Sequence, residues 1–269
     1  MTALLVDAGN SRIKWARADG GRVGPVRAAR YTSWRAADYF RRMFGARPRA
    51  ARVLIASVAG PEVRRALTGA ARRAGLEPRF VRVPRRAGGV TVGYADPWRL
   101  GVDRFVAAVG AHHLFPEVAV CVVGVGTAMT VDLIEATGRH RGGIIVPSPA
   151  LMVETLLSRT HGIRRRASGG RASGGRASGG RASGRASGAA LFGRSTREAI
   201  ELGSRYAAAA LIDRAVAEAR PLVGRRPLVV LTGGAAPTVR PLLLSLHVGV
   251  PDLVLRGLAV LAQGPAQRP

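Results

Sequence analysis

One short pattern occurs twice in this chain and limits the folds that it can adopt. Residues 3–16 (ALLVDAGNSRIKWA) and residues 120–133 (VCVVGVGTAMTVDL) each contain an apolar strand, a tight turn with glycine, and a second apolar strand. The two copies align at a separation of 117 residues, which places Asp7 over Gly124. Because a repeated hairpin indicates duplication of a larger unit, we expect two related α/β domains.

Helical patterns follow each hairpin, as in an α/β domain. They cover residues 61–74, 97–114 and 195–219. Ser195 and Glu198 have the spacing of a capping box at the start of the last of these helices. We therefore predict an N-terminal domain over residues 1–115 and a C-terminal domain over residues 117–269.

Length and composition exclude several classes of protein. The 269 residues allow one large domain or two modest ones, and Cys121, the only cysteine, cannot form an internal disulfide. The longest uncharged run, residues 118–131, is shorter than the ~20 apolar residues of a spanning helix. Asp7 interrupts the apolar run that a signal peptide needs. We expect a cytoplasmic protein with no membrane segment.

The formal net charge of +26 has two possible explanations. Among the 42 basic residues, Lys14 is the only lysine, and the others are arginine. Electrostatics alone favours a polyanionic partner such as nucleic acid. Compositional drift in a GC-rich genome explains the scattered arginines better, because aromatic residues are only 5% and no recognition motif accompanies the charge. Nucleic acid is therefore not an expected partner.

Residues 164–188 form a low-complexity tract in which the sequence RASGG repeats. Glycine and serine at this density do not repay the entropy of ordering. We predict a flexible basic loop inserted into the C-terminal domain. Repeat expansion in a permissive surface loop is favoured over the functional alternative, a tether for polyanions.

The first hairpin contains the parts of a phosphate-binding turn. A carboxylate, Asp7, follows the apolar strand, Gly9 allows close approach to the backbone, and Asn10 and Ser11 add polar groups. Lys14 supplies a cation. Because arginine occupies every other Lys or Arg position in the chain, a lysine at this one favours a functional role for it. The alternative is an ordinary hairpin. Such a turn suits a phosphate group with Mg²⁺ on the carboxylate.

Other segments add candidate site residues. Asp103 and Arg104 follow Tyr94 at a helix start with apolar neighbours, where a carboxylate can orient a substrate hydroxyl and an arginine can bind an anion. A surface ion pair is the alternative. Thr127 offers donors in the second turn, and TGG at residues 232–234 follows an apolar strand, which suits a nucleotide packed close to the backbone.

These segments together resemble those of the type III pantothenate kinase family. The motifs DAGNSRIKW, GYADPWRLGVDR, GTAMTVD, GGIIVP, STREAIELG and TGG occur in the family's order and span nearly the whole chain outside the low-complexity tract. The resemblance implies an actin-like ATPase fold of two ribonuclease H-like domains. It also implies phosphorylation of pantothenate to 4′-phosphopantothenate by ATP and Mg²⁺, the first step of coenzyme A biosynthesis, in a homodimer with pantothenate at the subunit interface.

The resemblance also assigns roles to residues. Asp103 corresponds to the catalytic base and Asp7 to the carboxylate that holds Mg²⁺ with ATP. The implied pantothenate-binding residues are Tyr94, Gly101, Val102, Asp103, Arg104 and Thr196. The implied ATP-binding residues are Asp7, Ala8, Gly9, Asn10, Ser11, Arg12, Ile13, Lys14, Thr127, Gly233 and Gly234.

Two positions depart from the family pattern. Gly124 stands where the family has an aspartate that is associated with an activating monovalent cation, K⁺ or NH₄⁺, so this charged ligand is lost. Ser148 stands where the family usually has glycine after the proline of the GGIIVP segment. With the basic tract, these departures motivate an alternative: a degenerate relative with weak or no kinase activity that regulates or binds a polyanion.

Overall fold

The first half of the chain forms one mixed sheet. The structure is a computed structural model that describes residues 2–45, 50–168 and 191–264. The strands of the first sheet are β1 (Ala3–Ala8), β2 (Arg12–Asp19), β3 (Arg22–Val23), β4 (Arg27–Arg30), β5 (Arg52–Ser57) and β6 (Pro78–Phe80). Their order is β3-β2-β1-β5-β6, and β4 also pairs with β2. The central strand β1 is antiparallel to β2 and parallel to β5.

The second half repeats this arrangement after a small hairpin of β7 (Arg86–Ala87) and β8 (Val90–Thr91). Its strands are β9 (Val120–Val125), β10 (Ala128–Ile134), β11 (His140–Pro147), β12 (Leu228–Thr232) and β13 (His247–Gly249). They lie in the order β11-β10-β9-β12-β13, with β9 antiparallel to β10 and parallel to β12. The two sheets share one topology, so the duplication predicted from the hairpins is confirmed.

Each of the three predicted helical segments contains a helix, and the structure has further helices that the sequence analysis did not predict. They are α1 (Ala36–Met43), α2 (Pro61–Arg73), α3 (Val102–Leu114), α4 (Pro149–Arg159), α5 (His161–Ser168), α6 (Thr196–Val223), α7 (Ala236–Val239) and α8 (Leu253–Gln263). The helix predicted over residues 97–114 is divided, because a 3₁₀ turn at Pro97–Arg99 ends at Leu100 and Gly101, which have extended backbone. Glycine is a poor interior helix residue, so α3 begins after it.

The predicted insert at residues 164–188 begins inside helix α5, which reaches Ser168. This corrects the start of the loop. Arg164 and Arg165, which precede the first RASGG repeat, and Arg166, which begins it, continue the helix that starts at His161. The rest of the predicted insert, residues 169–188, lies outside the described residues. Within the described ranges, no helix has both the length and the apolar character needed to cross a membrane.

Helices α3 and α8 pack against each other between the two sheets. Helix α8, from the end of the chain, also contacts β1 and β2, and α3 contacts β9 and β10. Glycines allow this close approach: a Cβ added at Gly257 would lie 1.9 Å from the Val106 oxygen, and one at Gly110 would lie 2.6 Å from the Leu253 oxygen. The two halves of the chain therefore share one central core.

Strand alternation decides which residues face this central layer. On β1, Leu5 packs with α3 and α8, whereas Leu4 and Val6 pack into the core beneath α1 and α2. Because successive side chains point to opposite faces, Asp7 faces the same side as Leu5. By the same rule Gly124 on β9 shares the face of Val122, which packs in the central core. Both equivalent positions therefore face the space between the sheets.

Candidate active site

Asp7 is a partly buried carboxylate at the end of β1. Burial raises its pKa to about 6, the Lys14 ammonium opposes this rise, and the charge of Asp103 adds to it. Lys14 is the cross-strand partner of Asp7 on β2, and its Nζ donates a hydrogen bond of 2.8 Å to the Pro251 carbonyl. Asp7 makes no hydrogen bond through its carboxylate within the described part of the chain, so both oxygens are available to a ligand.

The first turn is held by Tyr31, which sequence reasoning missed. Its hydroxyl lies 2.5 Å from the Gly9 carbonyl oxygen and 2.9 Å from that of Asn10. The Gly9 N–H closes the turn by donating to the Arg12 carbonyl at 3.0 Å. Tyr31 comes directly after β4, which pairs with β2, and only that pairing brings it to the turn.

The two predicted phosphate turns meet. The hydroxyl oxygens of Ser11 and Thr127 lie 3.3 Å apart, although the residues are 116 positions apart in the chain. The second turn is one residue shorter than the first, because the Gly126 N–H donates to the Ala128 carbonyl. The 117-residue alignment thus holds through β9 but changes after the turn, and Thr130 takes the cross-strand place that Lys14 has opposite Asp7.

Not every residue of the predicted ATP turn faces the site with its side chain. Ala8 and Ile13 are fully buried in the core beneath α1 and α2. Only their backbone could contact a phosphate. Asn10, Ser11 and Arg12 are exposed, as a ligand contact requires.

Asp103 lies in the first turn of α3, close enough to Asp7 for its charge to raise the Asp7 pKa. Its carboxylate accepts a hydrogen bond of 2.9 Å from the Arg104 backbone N–H. Burial raises the pKa of Asp103 above its usual range, and Arg104 partly offsets this. The missing side chain at Gly101 makes room, since a Cβ there would lie 2.8 Å from the Asp103 Oδ1. The two carboxylates that the sequence singled out therefore lie within range of each other's charge.

Arg104 points away from water into a polar cluster. Its Nε and Nη2 donate to the two carboxylate oxygens of Asp132 at 2.9 and 2.7 Å, and its Nη1 donates to the Tyr94 hydroxyl at 3.2 Å. His140 Nε2 lies 2.9 Å from the Asp132 Oδ1. The surface ion pair considered between Asp103 and Arg104 is thus not formed by their side chains. Arg104 is instead paired with an acid from the other half of the chain.

Sequence reasoning missed Asp132 and His140. Asp132 lies on β10, where Met129 and Val131 pack toward α6 and Ile134 packs into the central core. Alternation therefore turns Asp132 toward α3. The sequence signal for Asp132 was an acidic residue on the inward face of a largely apolar strand. Because a buried carboxylate is costly unless it is paired, such a residue indicates a buried cationic partner.

The two departures from the family pattern have different local settings. Gly124 has no left-handed backbone, and a Cβ there would lie 3.0 Å from the Thr130 hydroxyl, so a side chain fits only with a small shift. No carboxylate replaces it on β9. Ser148 is buried and caps α4, because its hydroxyl accepts from the Leu151 N–H at 3.3 Å and Pro149 follows it.

Two further predicted segments have distinct surroundings. Gly233 has a φ of +96°, and a Cβ there would lie 2.3 Å from the Val125 oxygen, so glycine is needed for packing at the end of β9. Gly234 faces open space, which leaves room for a ligand.

Thr196 lies apart from the Arg104 cluster. It lines an apolar groove of about 690 Å³ between α4, α5 and α6, with Met152, Leu156, Ile163 and Ile200 among its other lining residues.

The donor set fits Mg²⁺ held with a nucleotide rather than a site built by protein alone. Within the described residues, no group of three or more His, Cys, Asp or Glu side chains could hold a metal ion. Mg²⁺ commonly takes one or two carboxylates, and substrate phosphates and water complete its shell. Asp7, with a free carboxylate beside Asp103, offers this arrangement. At position 124, glycine offers no carboxylate to a monovalent cation.

The fold and the paired turns define the class of protein. The chain has the two-domain α/β fold of the actin-like ATPase superfamily. The fold is similar to that of a Sinorhizobium meliloti protein described as a 2-dehydro-3-deoxygalactonokinase, with a TM-score of 0.56, 17% identity, and 99% and 98% of the two chains covered. It is also similar to component A of (R)-2-hydroxyglutaryl-CoA dehydratase from Acidaminococcus fermentans, with a TM-score of 0.53, 16% identity and 97% of each chain covered.

The chain belongs to the type III pantothenate kinase family. A model of that family matches residues 3–218. The type III pantothenate kinase of Nitrosococcus oceani is 34% identical over 268 residues, which cover 97% of this chain and 93% of the relative. The resemblance drawn from the motifs is confirmed.

Proposed function

We propose that this protein transfers the γ-phosphoryl group of ATP to the primary hydroxyl of pantothenate, giving 4′-phosphopantothenate and ADP. Family membership supports the reaction. The observation that carries the proposal is the contact between the two turns, with Asp7 at the end of the strand that enters the first turn and within range of the charge of Asp103. One carboxylate is then available for the cation and one for the hydroxyl. The family match does not favour the alternative of a degenerate polyanion-binding protein.

Asp103 is the proposed base. It orients the substrate hydroxyl and takes its proton as the oxygen–phosphorus bond forms and the bond from phosphorus to the ADP oxygen breaks. Burial raises the pKa of Asp103, which makes the carboxylate a better proton acceptor near neutral pH. Its hydrogen bond from the Arg104 N–H fixes one oxygen. Asp103 then loses the proton to solvent.

The phosphates of ATP are proposed to lie where the two turns meet. Phosphoryl transfer depends chiefly on positioning and on neutralising charge. Backbone N–H groups of the turns, the hydroxyls of Ser11 and Thr127, and Lys14 Nζ can supply donors there. Asp7 would hold Mg²⁺, which when bound neutralises charge on the phosphate oxygens. The deprotonated form of Asp7 is required for this role.

Arg104 and Tyr94 are proposed to bind pantothenate. The guanidinium carries positive charge and retains N–H donors for the substrate carboxylate. We further propose that the protein acts in the cytoplasm as a homodimer, and that the groove lined by Thr196 lies at the contact between subunits. The apolar lining of the groove supports this. Light scattering should find a dimer, and Ile200→Arg should give a monomer.

The reaction is tested with purified protein, ATP, Mg²⁺ and pantothenate. ADP release is followed by a coupled assay, and the product is identified by mass spectrometry as pantothenate that has gained one phosphoryl group. We expect this product in an amount equal to ADP. Absence of the product across a series of K⁺ and NH₄⁺ concentrations would contradict the proposed function.

A further inference from the structure

A buried ion pair lies behind the proposed pantothenate site. Arg104, Asp132 and His140 are 7%, 2% and 1% exposed. The Asp132 carboxylate faces three donors, namely Arg104 Nε, Arg104 Nη2 and His140 Nε2. Burying ions is costly unless they are paired and hydrogen-bonded, and this network meets both conditions. Its geometry therefore fixes the plane of the guanidinium.

The network leaves part of Arg104 unused. A guanidinium has five N–H donors. Two of those of Arg104 go to Asp132 and one goes to the Tyr94 hydroxyl. The other two have no partner in the described part of the chain. A rigid guanidinium with free donors matches the two oxygens of a carboxylate.

His140 is unusual as a core residue. Because the Asp132 carboxylate only accepts hydrogen bonds, Nε2 carries the proton between them. Among the described residues, its Nδ1 is buried without a hydrogen-bond partner. An apolar residue would fill the position without leaving a polar atom unpaired. The His140 ring also packs against the Tyr94 ring, with centroids 5.5 Å apart. His140 therefore contacts both Asp132 and Tyr94, the two residues that accept hydrogen bonds from Arg104.

Gly143 closes the network from the other side. A Cβ at this position would lie 2.4 Å from the Arg104 Nη2 and 2.4 Å from the Asp132 Oδ1. The β11 backbone can therefore lie directly against the ion pair. There is therefore no room for a side chain at residue 143 beside the ion pair.

We propose, on the basis of the function proposed above, that Asp132 and His140 are positioning residues that hold Arg104 so that its two remaining N–H groups bind the carboxylate of pantothenate. They thereby set the selectivity for a substrate with a carboxylate. A merely structural role would affect all substrates alike. The test therefore compares pantothenate with its alcohol analogue, in which the carboxylate is replaced by CH₂OH.

The variants are Asp132→Asn, His140→Leu and His140→Gln. Glutamine retains an N–H near the position of Nε2, whereas leucine fills the space without a donor. We expect Asp132→Asn to lower kcat/KM for pantothenate by about 10- to 100-fold, mainly through KM, the range for a hydrogen bond to a charged group. His140→Leu should act in the same direction, and His140→Gln should resemble the parent. The alcohol analogue and the KM for ATP should change less than about twofold.

Several outcomes would overturn this proposal. They are an equal loss for both substrates, an unchanged KM for pantothenate, or equal behaviour of the leucine and glutamine variants. The two His140 variants provide the test if Asp132→Asn does not fold, as judged by circular dichroism. If the parent phosphorylates neither compound, the proposed function fails. Calorimetric binding of both compounds then gives the same comparison, and loss of pantothenate binding alone supports the positioning roles.

Discussion

The Ser11 hydroxyl oxygen lies 3.3 Å from the Thr127 hydroxyl oxygen, so the two turns of the duplicated hairpin touch. We place the ATP phosphates at this contact. Ser11→Ala and Thr127→Ala should each raise the KM for ATP by about 10-fold, the effect of one hydrogen bond to a charged group. Initial-rate kinetics measures this.

The double variant provides the control. Because the two hydroxyls contact each other and would share one ligand, the combined loss should differ from the product of the single losses. Strict additivity would show that the two hydroxyls act independently, and an unchanged KM for ATP in both single variants would place the phosphates elsewhere.

Asp7 should make the protein less stable as pH rises from about 4 to about 6. Its pKa is raised by burial from 3.8 to about 6, so the folded state binds the proton more tightly than the unfolded state. The free energy of unfolding falls across this window, by up to ~3 kcal/mol, and levels off above it. Asp7→Asn should remove this dependence and be more stable than the parent near pH 7.5, while its activity falls.

Urea denaturation at several pH values tests this expectation. Asp96→Asn is the matched control, because Asp96 lies on the surface in an ion pair with Arg99. A variant at Asp7 that keeps the parent's pH dependence would show that burial of this carboxylate has no energetic consequence.

Activation by K⁺ should be weak or absent, because Gly124 supplies no charged ligand. Gly124→Asp should raise activity and introduce a K⁺ requirement. The backbone permits this change, since Gly124 has no left-handed φ and only the Thr130 hydroxyl, 3.0 Å from the added Cβ, must shift. Gly124→Ala controls for the shift alone. Strong K⁺ activation of the parent protein would mean that other groups form the cation site.

The Ser148 hydroxyl should stabilise α4 by capping the N-terminus of the helix. Removing an N-cap hydroxyl costs ~1 kcal/mol, so Ser148→Ala should lower the free energy of unfolding by about this amount, and Ser148→Gly by a few tenths. Ser158→Ala is the control, since Ser158 is an exposed hydroxyl in the same helix. Equal stability of the Ser148 and Ser158 alanine variants would contradict the capping role.

The duplicated topology was predictable because the period of two in both hairpins and their glycine turns are local features. The helix over residues 195–219 was predictable for the same reason, and the Ser195 hydroxyl does accept from the Glu198 N–H. The Glu198 carboxylate, however, accepts from the Arg194 N–H, one residue before the expected partner. Such a shift depends on how the chain enters the helix.

The contacts across the chain were not predictable from local sequence. Arg104 and Asp132 are 28 residues apart, and only the packing of α3 against β10 brings them together. Tyr31 reaches the first turn through the pairing of β4 with β2. The spacing of residues carries no signal for either contact, because both depend on how elements distant in the sequence are placed relative to each other.

Asp103→Asn, assayed with saturating ATP, Mg²⁺ and pantothenate, tests the central claim most directly. If Asp103 orients the hydroxyl and accepts its proton, turnover should fall by ~10²- to 10⁴-fold while the binding of both substrates stays near that of the parent. Calorimetric titration of each substrate verifies binding. A variant that turns over at the rate of the parent would remove Asp103 from the mechanism and contradict the site described above.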